Sequence, residues 1–236
     1  MFDETSNTVI VALTSGKSSR DNMTSSIMLY DLSHPASEPY VLERLNKGEQ
    51  CLALNIWKVK EKRRYICVGT WGYVNGHVKA DDSNGSSSNL STSSTTPQKQ
   101  GRVLVYNFKE NDKPGAKKRY KLKRVGEYIV PDMVTSIVPF LSSYLLCSSG
   151  NQLLLLKIDA KTRTLVCGVK YTLRWTLGAI STFHGRIAVA CSKESVCLLE
   201  YKKENREDGL HVKKELKFLA RYGLSKRERE MVELIF

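Results

Sequence analysis

The side chains able to perform chemistry are few and lie apart. The four histidines, His34, His77, His184 and His211, fall in four different contexts. None belongs to an HExxH motif, and no Cys/His spacing suits a zinc site. The six cysteines, Cys51, Cys67, Cys147, Cys167, Cys191 and Cys197, form no CxxC pair, and most stand inside apolar runs. They read as reduced core thiols of an intracellular protein rather than as ligands or a disulfide framework. Gly69, Gly72 and Gly76 are spaced wrongly for a dinucleotide fingerprint and read as strand-end and turn glycines. There is no Walker A sequence and no G-x-S-x-G elbow. His184, within Phe-His-Gly-Arg, sits where two strands would meet in a hairpin. No catalytic residue, metal ligand or cofactor is therefore assigned, no small-molecule substrate is expected, and an enzyme has no supporting constellation.

What the sequence offers instead is charge. It holds 37 basic against 24 acidic residues in a chain of 236, a net charge of +13. The basic residues concentrate in Lys58–Arg64, Lys109–Arg124 and Lys202–Arg229. The densest group is Lys117, Lys118, Arg119, Lys121, Lys123 and Arg124. On a strand, successive side chains point to opposite faces, so Arg119, Lys121 and Lys123 would share one face, with Tyr120 and Leu122 offset from it. One reading is an outer edge strand that lysine keeps soluble and unpaired. The other is an electrostatic contact to an acidic protein or to nucleic acid. Aromatic residues are not interleaved with these cations as stacking partners, so any nucleic-acid binding is expected to be weak and non-specific. Trp57, Trp71 and Trp175 read as core packing, the alternative being that one anchors a partner.

These residues must be positioned by strands. Arg64–Trp71 (RYICVGTW) and Gly101–Phe108 (GRVLVYNF) are rich in β-branched and aromatic residues and are bounded by glycine or charge. Between them, Asp81–Gln100 is dominated by Asp, Ser, Asn and Thr with one leucine. Such a run cannot offset the entropy of ordering itself, and it is expected to be a disordered insertion in a hairpin. The sheet tolerates it because loop-closure entropy grows slowly with length. Cys51–Val59 precedes this pair and Arg119–Val130 follows it, making four strands. The same order recurs in Val134–Phe140, Tyr144–Ser149, Gln152–Ile158 and Leu165–Tyr171, and again in Leu177–Phe183, Arg186–Cys191, Val196–Tyr201 and Val212–Arg221. Thr8–Thr14, Ser26–Leu32 and Tyr40–Leu45 are strands of a preceding unit, and Met231–Phe236 reads as the first strand of a further one. Ser225 ahead of Glu228 could cap a short helix there, or the charged run could be an interblade loop.

Four strands repeated every 40–50 residues or so point to an all-β chain, a β-propeller of four-stranded antiparallel blades. The expected domain, residues 1–236, has about three full blades plus edge pieces, against a usual four to eight, so the propeller is expected to be incomplete, part of a larger one. No apolar run approaches the roughly 18 residues of a membrane span, and no membrane partner is expected. The acidic, polar start (MFDETSNTVIVAL) reads as neither secretory signal nor transit peptide, so the sequons at Asn22, Asn84 and Asn89 are expected to be chance.

The order of a Y-x-x-V-G-T strand (Tyr65, Val68, Gly69, Thr70), a polar insertion and a G-R-hydrophobic strand (Gly101, Arg102, Val103–Phe108) resembles one protein family. It is that of damaged-DNA-binding protein 1, the large subunit of the cleavage and polyadenylation specificity factor, and splicing factor 3b subunit 3. The likeness continues through Val134–Pro139, Leu145–Gly150 and an S-V-x-x-x-x-Y strand at Ser195, Val196 and Tyr201, and spans Glu49 to Phe236. It departs from the family where Gly-Asp is usual before S-V, here Cys191–Glu194, and at the charged Arg221–Glu230. Within the family, the chain resembles the divergent fungal methyl-methanesulfonate-sensitivity scaffold. The resemblance implies a nuclear, non-enzymatic protein-interaction scaffold from the last-propeller region. Its partners would be subunits of a cullin-type ubiquitin ligase in the DNA damage response. The alternatives are a scaffold of mRNA 3′-end processing or splicing, or a basic nucleic-acid-binding module.

Overall fold

The computed structural model describes residues 2–3, 8–15, 24–33, 38–59, 63–73, 99–110, 120–159, 162, 164–193, 196–205 and 212–222. These form sixteen strands, with no helix among the described residues. The first sheet holds β1 (Phe2–Asp3), β2 (Thr8–Ser15), β3 (Thr24–Asp31) and β4 (Tyr40–Arg44). The second holds β5 (Glu49–Val59), β6 (Arg63–Tyr73), β7 (Lys99–Glu110) and β8 (Tyr120–Val130). The third holds β9 (Ile137–Phe140), β10 (Tyr144–Ser149), β11 (Gln152–Ile158) and β12 (Leu165–Thr172). The fourth holds β13 (Leu177–Phe183), β14 (Arg186–Cys191), β15 (Val196–Asn205) and β16 (Val212–Tyr222). Every sheet is antiparallel, with strands in sequence order, the architecture of propeller blades.

The blades pack face to face in chain order. The first strands β5, β9 and β13 adjoin one another along the inner side, and the fourth strands β4, β8, β12 and β16 adjoin along the outer side. Three apolar clusters fill the gaps, one for each neighbouring pair of sheets. Among the described residues no cluster joins the first sheet to the fourth, so the four blades form an open arc.

This packing explains why the middle strands are apolar without alternation. In β6, Tyr65 and Cys67 point into the cluster shared with the third sheet, while Ile66 and Val68 point into the cluster shared with the first. In β11, Leu154 and Leu156 face the second sheet while Leu153 and Leu155 face the fourth. A strand buried on both faces needs apolar residues at every position. The end sheets differ: on the outer face of the first, Leu13 is 44% and Tyr30 36% exposed.

The first sheet reaches four strands only through the two residues of β1. In the second, β6 and β7 pair as far as Tyr73↔Lys99, so β7 begins inside the span read as an insertion. Residues 81–98, Met231–Phe236 and the stretch from Ser225 to Glu228 lie outside the described residues.

The end of that ladder yields a prediction. Replacing residues 74–98 by an Asn-Gly turn should leave the pairing intact, because a two-residue turn matches the twist of adjacent antiparallel strands. The expected melting temperature stays within about 4 °C of the parent, the scale of a 1 kcal/mol change. Calorimetry checks this, and a larger fall would mean that the segment packs on the fold.

Candidate functional site

The basic run chosen from the sequence falls on β8 and the approach to it. Lys117, Lys118 and Arg119 lie outside the described residues. Tyr120 is buried and stacks on Phe108, ring centroids 5.0 Å apart, and its amide donates to the Tyr40 hydroxyl at 3.1 Å. That anchors the start of β8 against the first sheet and turns Lys121 and Lys123 outward, where both are exposed. The cross-strand neighbours are Lys109↔Lys121 and Asn107↔Lys123. Lys109, also exposed, thus stands opposite a like charge. The sequence counts Lys109 in the same basic stretch, but only the ladder shows that it stands directly across from Lys121.

Arg124 belongs elsewhere. A β-bulge between Val105 and Tyr106 sets Arg124 opposite Tyr106. Its Nη1 lies 3.3 Å from Glu127 Oε2. Glu127 in turn accepts from Arg102 Nη1 at 2.8 Å. Arg102 is buried and forks onto the buried Glu49, donating through Nε at 2.7 Å and through Nη2. Glu49 also accepts from Thr70 Oγ1 at 2.5 Å and from the Asn46 amide at 3.1 Å. The result is an alternating chain, Arg124–Glu127–Arg102–Glu49, whose charges cancel. Burial opposes the charge on Arg102, but the hydrogen bonds and charge of Glu49, then of Glu127, outweigh it and raise the guanidinium pKa. In the sequence Arg102 stands out only as part of a G-R strand, and the strand expected over Cys51–Val59 leaves Glu49 outside, whereas β5 begins at Glu49. The available signal was a charged residue inside a strand otherwise fit for burial.

Beside this network, Asp132 closes the end of the second sheet. A Cβ at residue 101 would collide with the Asp132 carbonyl oxygen, and Gly150, at φ +56°, receives the Asp132 side chain on its other flank. Glycine is needed at both places for the connection to pass. Val134 donates its amide to the Thr70 carbonyl at 3.4 Å, tying the third blade to the second.

The remaining sequence candidates have structural places. Trp57 is buried and tilted against Tyr65, centroids 5.7 Å apart. Trp71 and Trp175 are half-buried and hold cations over their rings: Lys99 at 5.9 Å for Trp71, and Arg174 at 5.0 Å and Lys193 at 5.3 Å for Trp175. His184 sits in the β13–β14 turn with φ 45°. All six thiols are free, and Cys67, Cys147 and Cys197 are buried. Burial, with the nearby charge of Glu49 adding to it, pushes the Cys51 thiol up to about 11. Among the described residues no group of three His, Cys, Asp or Glu side chains could hold a metal ion.

Two outcomes follow. Arg102→Met leaves the Glu49 carboxylate buried without its countercharge and should cost about 3–5 kcal/mol in urea unfolding, with part recovered by adding Glu49→Met. Cys51 should react with iodoacetamide at pH 8 about a hundredfold more slowly than in the unfolded chain, because its thiolate fraction is far smaller. Its folded pKa lies above the unfolded one. Its contribution to stability is therefore complete below about pH 9 and is lost as pH rises towards 11. Stability rising over that window would contradict the assignment.

The match to known families covers these same blades. The family model described as the CPSF A subunit region matches residues 24–212. No curated protein matches the chain. The matched span takes in β3 to β15 and with them the V-G-T and G-R strands that enclose Thr70 and Arg102. The chain belongs to the CPSF A subunit region family, a family of β-propeller protein-interaction scaffolds.

Proposed function

We propose that the chain is a non-enzymatic scaffold that acts in the nucleus as an adaptor of a cullin-type ubiquitin ligase in the DNA damage response. The observation behind the scaffold reading is the family match over blades whose interior is given wholly to packing. Among the described residues, three apolar clusters and a neutralised ion network occupy the inside, and exposed cations such as Lys58, Arg63, Lys109 and Lys121 lie near strand ends, where other molecules can meet them. The ligase assignment rests on the resemblance of the V-G-T and G-R strands to the family that includes damaged-DNA-binding protein 1, and within it on the likeness to the divergent fungal methyl-methanesulfonate-sensitivity scaffold.

A second reading within the family is a scaffold of mRNA 3′-end processing or splicing. The family's description, which names a CPSF subunit, and the net charge of +13 favour it. A stand-alone nucleic-acid module has less support. Lys121 and Lys123 stand on one face of β8, while the aromatic Tyr120 is buried on the other, so no stacking platform accompanies the charge.

Affinity purification of the tagged chain from nuclei, after nuclease treatment, separates these readings. Cullin-ligase subunits in stoichiometric yield are the expected result; RNA-processing subunits would move the assignment to the second reading, and the absence of any stoichiometric protein would remove both. In parallel, a single-stranded oligonucleotide should bind weakly, with no sequence preference, and dissociate by about 0.5 M salt. Sequence-selective binding that survives that salt would restore the nucleic-acid reading.

A further inference from the structure

Two of the six free thiols lie together. Cys191 Sγ and Cys197 Sγ are 3.9 Å apart, at the end of β14 and near the start of β15. Strand geometry puts both on one face. Cys197 stands opposite Val189, and Cys191 is two residues on from Val189, so alternation turns the two side chains the same way. That way is inward, onto the apolar cluster between the third and fourth sheets, where Cys197 is a buried member and Cys191 packs at its margin.

The two thiols differ in access and in freedom. Cys197 is 2% exposed. Cys191 is only partly buried, and Ser192 and Lys193 in the turn that follows it are exposed. A small oxidant in solvent therefore meets Cys191 first. Cys197 sits inside the sheet, with Val189 on one side of it and Arg221 on the other. Cys191 lies one residue past the last β14–β15 rung, Ala190↔Val196. Its partner on the other side is Leu177, at a bulge between Leu177 and Ala179. A bulge interrupts the ladder, so the backbone at Cys191 is held less tightly than that at Cys197. To bond, the sulfurs must close from 3.9 Å to about 2.05 Å. Movement of Cys191 with its turn supplies that approach, and a bridge made by such a shift is strained and readily reduced.

We infer that Cys191 and Cys197 form a redox clamp, a dithiol that a peroxide converts to a disulfide and a small thiol reopens. The Cys191 sulfur attacks one peroxide oxygen; the O–O bond breaks, Cys191 becomes a sulfenic acid and water leaves. The Cys197 sulfur then attacks the Cys191 sulfur; the S–S bond forms, the S–O bond breaks, and the hydroxide leaves as water with the Cys197 proton. Two thiols have given up two electrons, and one peroxide has become two waters. In a reducing compartment such a bridge is transient, the usual form of a sensing pair. The bridge closes residues 192–196 into a ring. It thereby ties down Lys193, whose Nζ lies 5.3 Å from the centre of the Trp175 ring. The inference stands on this geometry and does not use the scaffold reading.

The test exposes the full chain at neutral pH to hydrogen peroxide, caps the remaining thiols with N-ethylmaleimide, and digests the denatured product with trypsin. Lys193 separates the two cysteines, so trypsin releases residues 187–193 and 194–202 as separate peptides. The expected product is that pair joined, two hydrogens lighter than its parts. Maleimide labelling of Cys191 should fall about tenfold or more and return with dithiothreitol. Cys197→Ala keeps the site apolar and should stop at the Cys191 sulfenic acid, which dimedone traps. Cys191→Ser should leave Cys197 as reduced as buried Cys67. In the native fold, trypsin should cut after Lys193 about fivefold more slowly in the oxidised chain than in the reduced one, an effect absent from both variants. Cys191 bridged to any other cysteine or to a second chain, a sulfenic acid that persists in the parent as it does in Cys197→Ala, a pair still reduced once Cys51 is oxidised, or equal cleavage after Lys193 in the two states would overturn the proposal.

Discussion

The structure depends on one constraint: each inner blade is shared between two apolar cores. A middle strand such as β6 or β11 sends odd residues into one cluster and even residues into the next. Each fully buried leucine contributes about 1.5–3 kcal/mol, and removing one costs more because the cavity does not collapse. Since neither face of such a strand meets water, polar groups are expelled to strand ends, to outer edges, or into pairs. The apolar runs, the charged hairpins and the bulges all follow from that exclusion.

Arg102 and Glu49 are the charged side chains buried among the described residues, and their surroundings show what this requires. Glu49 takes a forked contact, Glu127 takes a third bond, and Thr70 and the Asn46 amide complete the hydrogen bonding of Glu49. A buried ion pair is weak support for stability compared with an apolar substitute, but it is exacting about geometry. Here it links β5, β6, β7 and β8 at one level and so fixes their register. The Asp132 connection presses on Gly101 and Gly150 just beyond it, and the next blade starts from there.

The two ends of the blades therefore differ in character. The end with Glu49, Arg102 and Asp132 is locked by hydrogen bonds between blades. At the opposite end, turns keep Leu141 and Phe183 exposed, and Lys109 stands opposite Lys121.

Much of the architecture was legible in the amino-acid order, because the information is local. β-Branched and aromatic runs such as Arg64–Trp71, separated by turn residues, mark strands, and their grouping in fours marks blades. Alternation along β8 was enough to place Lys121 and Lys123 on one face, opposite Tyr120. What only the tertiary structure decided is which residues meet across strands. Alternation sets Arg124 on the face away from the lysines, and a bulge just after it brings Glu127 onto that same face, while register brings Lys109 opposite Lys121. Glu49 and Arg102, far apart in the chain, become partners only through a common ladder with β6. A sequence shows the face on which each residue of a strand lies; pairing register and bulges, set by packing of whole sheets, determine what stands opposite it.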